Sequence, residues 1–132
     1  MKNSWRIVLI VTLAVGLVPV LLWFFRGEPV IQAVVVPELS AAAQVGKQAF
    51  DRSSAGCHGE NALGSEKGPP LVHKTYHPGH HADISFELAV RRGVRAHHWL
   101  FGDMPPQPAV TPAEMLQITQ YIRELQKANG IF

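Results

Sequence analysis

Apolar residues are concentrated at the start of this chain. Residues 7–25 form a run of 19 residues without a charged side chain. At about 1.5 Å per residue, a helix of that length crosses most of the ~30 Å hydrocarbon layer of a bilayer. Trp5 lies just before the run and Trp23 near its end, at the levels where amphipathic rings settle at membrane interfaces. The pattern predicts one transmembrane helix within 1–27, an extended tether over 28–39 and a folded domain over 40–132.

The flanking charges predict which way the helix is oriented. Lys2 and Arg6 precede the apolar run, which favours a cytoplasmic N-terminus and a C-terminal domain on the outer side. A cleaved secretory signal is the alternative, but it requires a small-x-small site close behind a shorter apolar core. Arg26 to Pro29 offer no such site, so an uncleaved anchor is favoured.

In the folded part, hydrophobic spacing predicts a first helix over 41–52 with Ser40 as its N-cap. Gly46 lies inside this helix, where glycine costs about 1 kcal/mol relative to alanine. That cost is understandable if a second helix crosses closely at this point. The face expected to be buried comprises Ala42, Val45, Ala49 and Phe50.

Two further helices follow. One is predicted over 83–92, capped by Asp83, ended by Gly93, and carrying Phe86, Ala89 and Val90 inward. The last begins with the capping box Thr111-Pro112-Ala113-Glu114 and stops at Asn129-Gly130. Its apolar stripe comprises Met115, Ile118, Ile122 and Leu125. The domain is therefore expected to be all-α.

Long loops separate these helices, over 53–82 and 94–110. A compact domain tolerates such loops mainly when something other than secondary structure organises them, and a bound cofactor would do so. One cysteine excludes an intramolecular disulfide. Nine basic and nine acidic residues follow Pro37, so the charge of the folded part gives no support for nucleic-acid binding.

The loop after the first helix carries the candidate chemistry. Cys57-His58 is the second half of the haem-attachment signature C-x-x-C-H, whose first cysteine position holds Ser54. Because a serine hydroxyl does not add to a haem vinyl group, at most one thioether can form, from Cys57. A thioether sulfur is the usual sixth ligand of an electron-transfer haem. Met104 in an irregular segment suits that role, whereas Met115 on the apolar stripe is expected in the core.

The chain from about Ala43 to Gln126 resembles a small class I mono-haem c-type cytochrome. The resemblance is carried by Gly46, Phe50, Cys57-His58-Gly59, Gly68-Pro69-Pro70-Leu71, Met104-Pro105-Pro106 and Tyr121. It implies an all-α fold of three or more short helices wrapped around one haem c, with a single thioether. It further implies His58 and Met104 as iron ligands and Pro69 or Pro70 as the carbonyl that orients His58.

Six histidines are left over after His58, namely His73, His77, His80, His81, His97 and His98. They are interpreted mainly as solvated loop residues, with Arg95, His97, His98 or Trp99 donating to the haem propionates. The competing hypothesis makes His77, His80 and His81 part of a copper or zinc site.

Neither a catalytic triad, nor a paired-carboxylate spacing, nor a phosphate loop is present in the sequence, so an electron carrier is favoured over an enzyme. The expected function is single-electron transfer between redox protein partners by a single-pass protein of the bacterial inner membrane, with its domain in the periplasm. Two alternatives stay open. One is a haem-free, histidine-rich copper- or zinc-binding or assembly module; the other is a cytochrome subunit of a larger oxidase or dehydrogenase complex.

Overall fold

The structure is a computed structural model that describes residues 33–132. The predicted transmembrane helix, and the part of the tether before residue 33, lie outside the described residues. Within 33–132, no helix combines the length and the apolar content needed to cross a bilayer. The same part of the chain holds four α-helices and no β-strand, which agrees with an all-α domain.

The helices are α1 (Ala41–Ser53), α2 (Ala55–His58), α3 (Asp83–Arg92) and α4 (Pro112–Ala128). Short 3-10 helices at Glu60–Ala62 and Lys74–Tyr76 lie in the long loop between α2 and α3. Helix α1 packs along α4, and α3 contacts α4 as well. Helices α1 and α3 therefore share α4 as their common neighbour.

Helix α4 matches its prediction closely. Thr111 Oγ1 accepts the Glu114 amide at 3.2 Å, and the Glu114 carboxylate accepts the Thr111 amide at 3.0 Å, which completes the capping box. The helix ends at Asn129 as its C-cap. All four residues of the predicted stripe are buried: Met115, Ile118, Ile122 and Leu125.

The buried face of α1 was predicted correctly in half of its positions. Ala49 and Phe50 are buried as expected, whereas Ala42 and Val45 are exposed, Val45 to 46%. The other two buried positions are Ala43 and Gly46. Helix α1 turns Gly46 toward α4, where a Cβ atom would overlap the Gln117 carbonyl oxygen and lie 3.0 Å from the Ile118 nitrogen. The backbone approach at Gly46, rather than the bulk of Val45, sets which face is buried.

Helix α3 has the predicted bounds, Asp83–Arg92, but its N-cap is Ala82 and not Asp83. Asp83 is the first helical residue. Its carboxylate instead accepts from Arg123 Nε at 2.7 Å. Phe86 and Val90 are buried as expected, and Gly93 ends the helix with φ 74°.

Aromatic and polar contacts join the helices to the loops. The rings of Phe50 and Tyr121 lie 5.6 Å apart, and Tyr121 Oη donates to the Asn61 side chain at 3.1 Å. Burial, followed by the nearby charges of Asp51 and Glu60, raises the pKa of Tyr121 to about 12. Tyr121 is therefore protonated and a hydrogen-bond donor throughout the physiological pH range.

Residues 33–39 run along the domain as irregular chain. The Val35 amide donates to Asn129 Oδ1 and Asn129 Nδ2 donates to the Val35 carbonyl, both at 2.9 Å. Val34 and Leu39 pack against the core. The last residues of the predicted tether are therefore attached to the end of α4.

Gln126 is the most buried polar side chain of α4, with 1% exposure. Its Nε2 group donates to the carbonyls of Leu71 at 2.8 Å and Tyr76 at 3.1 Å. These bonds hold the loop between α2 and α3 against α4.

We expect Gln126→Leu to lower the free energy of unfolding by about 1–3 kcal/mol, because the buried Leu71 carbonyl loses its side-chain donor. Urea denaturation followed by circular dichroism measures the change. The matched control is Gln120→Leu on the same helix, whose exposed amide donates only to Glu124. It should change stability by no more than about 0.5 kcal/mol. Equal stability losses in both variants would contradict this role for Gln126.

Candidate haem site

A cavity of about 400 Å³ lies inside the helical domain. Its helical wall is apolar and is built by Phe50, Phe86, Val90, Ile118 and Ile122. The two long loops supply the rest of the wall. A volume of this order, with apolar walls and few polar groups, is typical of a site that holds a prosthetic group.

His58 enters this cavity from the end of α2. Its Nδ1 lies 2.9 Å from the Pro69 carbonyl oxygen, and since a carbonyl only accepts, Nδ1 carries the proton and donates. Burial lowers the pKa of His58, and the hydrogen bond to Pro69 partly opposes this shift. The neutral ring therefore keeps a lone pair on Nε2, which is the arrangement found in metal-ligating histidines.

The chain around α2 is folded back tightly on itself. Gly59 has φ 74°, and a Cβ there would overlap the Gly64 carbonyl oxygen, so only glycine fits. The Gly64 amide donates to the His58 carbonyl at 2.6 Å, and Ser65 Oγ donates to the Cys57 carbonyl at 2.5 Å. These bonds bring Pro69 back to His58 and fix the ring orientation.

Met104 enters the same cavity from the second long loop. The Val94 amide donates to the Met104 carbonyl and the Met104 amide donates to the Val94 carbonyl, each at 2.9 Å, as an isolated antiparallel bridge. Just beyond, the Gln107 amide donates to the Val90 carbonyl at 2.7 Å. The backbone of Met104 is thus held to the end of α3, although it lies in no helix.

Some of the remaining predicted site residues line the cavity and others do not. Ser54, Pro69, His97 and Trp99 line the cavity. Pro70 and Arg95 do not lie in its lining, and Arg95 is exposed.

Trp99 donates its indole N–H to Tyr76 Oη at 3.0 Å, so this donor is already engaged within the protein. Of the two candidate prolines, Pro69 supplies the carbonyl to His58.

Cys57 is exposed and does not line the cavity, whereas Ser54, three residues earlier, does. Ser54 is the N-cap of α2, so Ser54, Cys57 and His58 fall within one helical turn. The Ser54 and Ser53 hydroxyls lie 3.1 Å apart, and Ser53 Oγ donates to the Ala49 carbonyl. The attachment motif therefore begins with a hydrogen-bonded hydroxyl where a thiol would otherwise stand.

Both methionines of the described residues, Met104 and Met115, line the cavity. Met115 is 3% exposed and belongs to the core of α4, as predicted. Met104 is only partly buried and packs against that core from its loop. The two side chains thus differ in enclosure, because Met115 is surrounded by core neighbours and Met104 extends from a bridged loop.

Tyr76 and His81 also line the cavity but were not predicted as part of it. His81 Nδ1 donates to the Thr75 carbonyl at 2.8 Å, and its ring centroid lies 4.9 Å from that of Tyr76. Desolvation and the neighbouring charged groups lower the pKa of His81, despite the opposing effect of the Thr75 hydrogen bond. No spacing in the sequence relates Tyr76 and His81 to His58, because the loop between them is irregular.

These residues fit a haem with axial ligands from protein. The cavity is apolar, it contains an imidazole whose Nδ1 is fixed and whose Nε2 is uncommitted, and it contains a thioether on a bridged loop. Cys57 directly precedes the imidazole, as the attachment chemistry requires.

A family model described as Cytochrome c matches residues 43–126. This range extends from the first turn of α1 to the last turn of α4 and includes the whole cavity wall contributed by the helices. No curated protein and no solved structure gives a significant match.

Proposed function

The chain belongs to the cytochrome c family, whose members transfer electrons through covalently bound haem c, and from this premise we propose a membrane-tethered mono-haem cytochrome. In this proposal it passes single electrons between redox protein partners on the periplasmic side of a bacterial inner membrane. The observation that carries it is the apolar cavity lined by both His58 and Met104.

When bound, the haem supplies an iron that changes oxidation state by one electron. His58 is proposed to bind that iron through Nε2, with its ring held by the Pro69 carbonyl. Met104 would supply its sulfur as a second ligand from the protein, and the bridge to Val94 supports its position. Two protein ligands leave no open site for substrate, which suits an electron carrier rather than an oxygenase.

We propose that Cys57 alone forms the covalent bond to haem c. The exposed thiol lies in the same helical turn as His58, and Ser54 takes the position of a first cysteine. Cys57 would supply the S–H that adds across one vinyl group of the haem, its sulfur bonding to one vinyl carbon and its hydrogen going to the other. The second vinyl group has no thiol partner in this chain.

We expect haem to migrate with the chain on a denaturing gel, and the reduced pyridine haemochrome band to lie between those of two-thioether and non-covalent haem. Cys57→Ala should abolish the covalent stain entirely. Ser54→Cys should move the haemochrome band to the two-thioether position, because it completes C-x-x-C-H. A colourless wild-type protein from a host with cytochrome c maturation would refute the proposed function.

The tether is proposed from residues 7–25, which carry no charge over 19 positions. The domain then stays close to the membrane, where it can meet membrane-bound donors and acceptors. Membrane fractions washed with alkaline carbonate should retain the full chain, and deletion of residues 1–27 should release it. Protease added to the outer face should digest the domain.

The proposed redox partners include a larger membrane oxidase or dehydrogenase. In that case the chain would be a subunit of the complex and not an independent carrier. Extraction in a mild detergent, followed by native electrophoresis and haem staining, distinguishes an independent carrier from a subunit of a complex. A band at the size of the single chain supports an independent carrier. A large haem-staining complex supports the subunit.

A further inference from the structure

Five histidines from two loops lie together at the edge of the cavity, and three of them, His81, His97 and His98, are part of its lining. His77, His80 and His81 come from the turn before α3, and His97 and His98 come from the loop after it. The amides of His80 and His81 both donate to the His77 carbonyl, at 3.0 and 2.9 Å, which makes the turn compact. The sequence hypothesis placed a metal on His77, His80 and His81, all from one loop. The structure selects a different set.

One ring nitrogen of each of His80, His81 and His98 lies within 4.8 Å of those of the other two. The ring centroids are 4.6 Å apart for His80 and His81, 5.4 Å for His80 and His98, and 5.3 Å for His81 and His98. His77 is not part of this set, and its Nδ1 accepts the Gly79 amide at 3.1 Å. The turn before α3 therefore contributes two imidazoles to a common point, and the loop after α3 contributes one.

We propose that His80, His81 and His98 form a binding site for a divalent first-row transition metal, such as Zn²⁺ or Cu²⁺, separate from the haem ligands. Imidazole nitrogens suit these ions, whereas Mg²⁺ and Ca²⁺ require oxygen ligands. Three imidazoles leave a fourth tetrahedral position for water or an added ligand.

His81 has the orientation that such a site needs. Its Nδ1 donates to the Thr75 carbonyl, which fixes the ring and leaves Nε2 as the nitrogen available to a metal. Its own carbonyl accepts from Arg123 Nη2. Arg123 in turn pairs with the Asp83 carboxylate at 2.7 Å, so the charge of this guanidinium is already compensated. One ligand is thus built into the fold.

The other two ligands are exposed and can adjust. His80 and His98 lie at the surface, where their side chains have room to rotate. Two nitrogens bound tetrahedrally at about 2.05 Å from zinc are roughly 3.3 Å apart. The three nitrogens lie within 4.8 Å of one another, so the exposed His80 and His98 side chains would move inward on binding. A metal here would link the turn before α3 to the loop that leads to Met104.

The test uses the full chain, purified with a tag that contains no histidine and with any free Cys57 thiol alkylated. Calorimetric titration should show one Zn²⁺ per chain, and Mg²⁺ should show no binding. Cu²⁺ should occupy the same site more tightly, as the general order of divalent-metal affinities requires. Its electron paramagnetic resonance spectrum should show coupling to imidazole nitrogens. Absence of stoichiometric Zn²⁺ binding by the wild-type chain would overturn the proposal.

The double variant His80→Ala/His98→Ala should weaken Zn²⁺ binding at least about tenfold, since removing ligands costs no less than disturbing their outer partners. His77→Ala is the matched control, because it removes a neighbouring imidazole outside the set, and it should bind Zn²⁺ as the wild type does. An equal loss in both variants would overturn the assignment. Soret absorbance read on the same samples reports haem loading separately, so failure of this site and failure of the proposed function are distinguishable.

Discussion

Replacing Gly46 by alanine is expected to lower the free energy of unfolding by about 3 kcal/mol or more. The added methyl group would overlap the Gln117 carbonyl oxygen where α1 and α4 cross. Backbone atoms cannot rotate away as a flexible side chain does, so the two helices would have to separate. The gain of about 1 kcal/mol in helix propensity from Gly to Ala is too small to compensate.

Urea denaturation, followed by far-ultraviolet circular dichroism, measures this loss. Gly56→Ala is the matched control, because Gly56 is also helical and a Cβ there would meet nothing within 4 Å. Its effect should stay below about 1 kcal/mol. If the two variants are equally stable, the close crossing of α1 and α4 is not what requires glycine at position 46.

The crossing also shows where sequence reasoning succeeded and where it failed. The glycine inside α1 predicted a close helix contact, and the structure confirms one with α4. The apolar spacing nevertheless favoured Ala42 and Val45 for the buried face, and both are exposed. In a helix of small residues, the hydrophobic pattern indicates only weakly which face is buried. The shape of the partner helix α4 determines the buried face of α1, and the sequence pattern of α1 does not encode that shape.

Helix α4 could be predicted in detail because its signals are local. A capping box spans four residues and an apolar stripe repeats with the helical period, so no distant part of the chain is needed. Gln126 on the same helix could not be predicted as buried. Its partners are carbonyls of Leu71 and Tyr76, some 50 residues away in an irregular loop.

The candidate site likewise has features that local sequence predicts and features that depend on distant parts of the chain. Cys57, His58 and Met104 were predicted because their side-chain chemistry is distinctive in the sequence, and the structure places His58 and Met104 on one cavity. The choice of Pro69 over Pro70 as acceptor depends on how the loop after Gly59 folds back, which no periodicity encodes. The grouping of His98 with His80 and His81 depends on two loops meeting, so the sequence hypothesis grouped His77 with them instead.

Replacing Met104 by alanine is the second change with a large expected effect. If the Met104 sulfur is the sixth ligand of the proposed haem, its loss should abolish the sulfur-to-iron charge-transfer band in the oxidised protein. The reduction potential should fall by on the order of 0.1 V or more, because axial ligands are a principal determinant of haem potentials. Near-infrared absorbance and a redox titration measure the two effects.

Met115→Leu is the control for this experiment, because Met115 lines the same cavity but belongs to the buried stripe of α4. Leucine is close to methionine in volume, so this change should cost less than about 1.5 kcal/mol in stability. The charge-transfer band should survive in Met115→Leu and disappear in Met104→Ala. The reverse result would assign the ligand to the helix rather than to the loop. The bridge between Val94 and Met104 would then serve only to close the cavity.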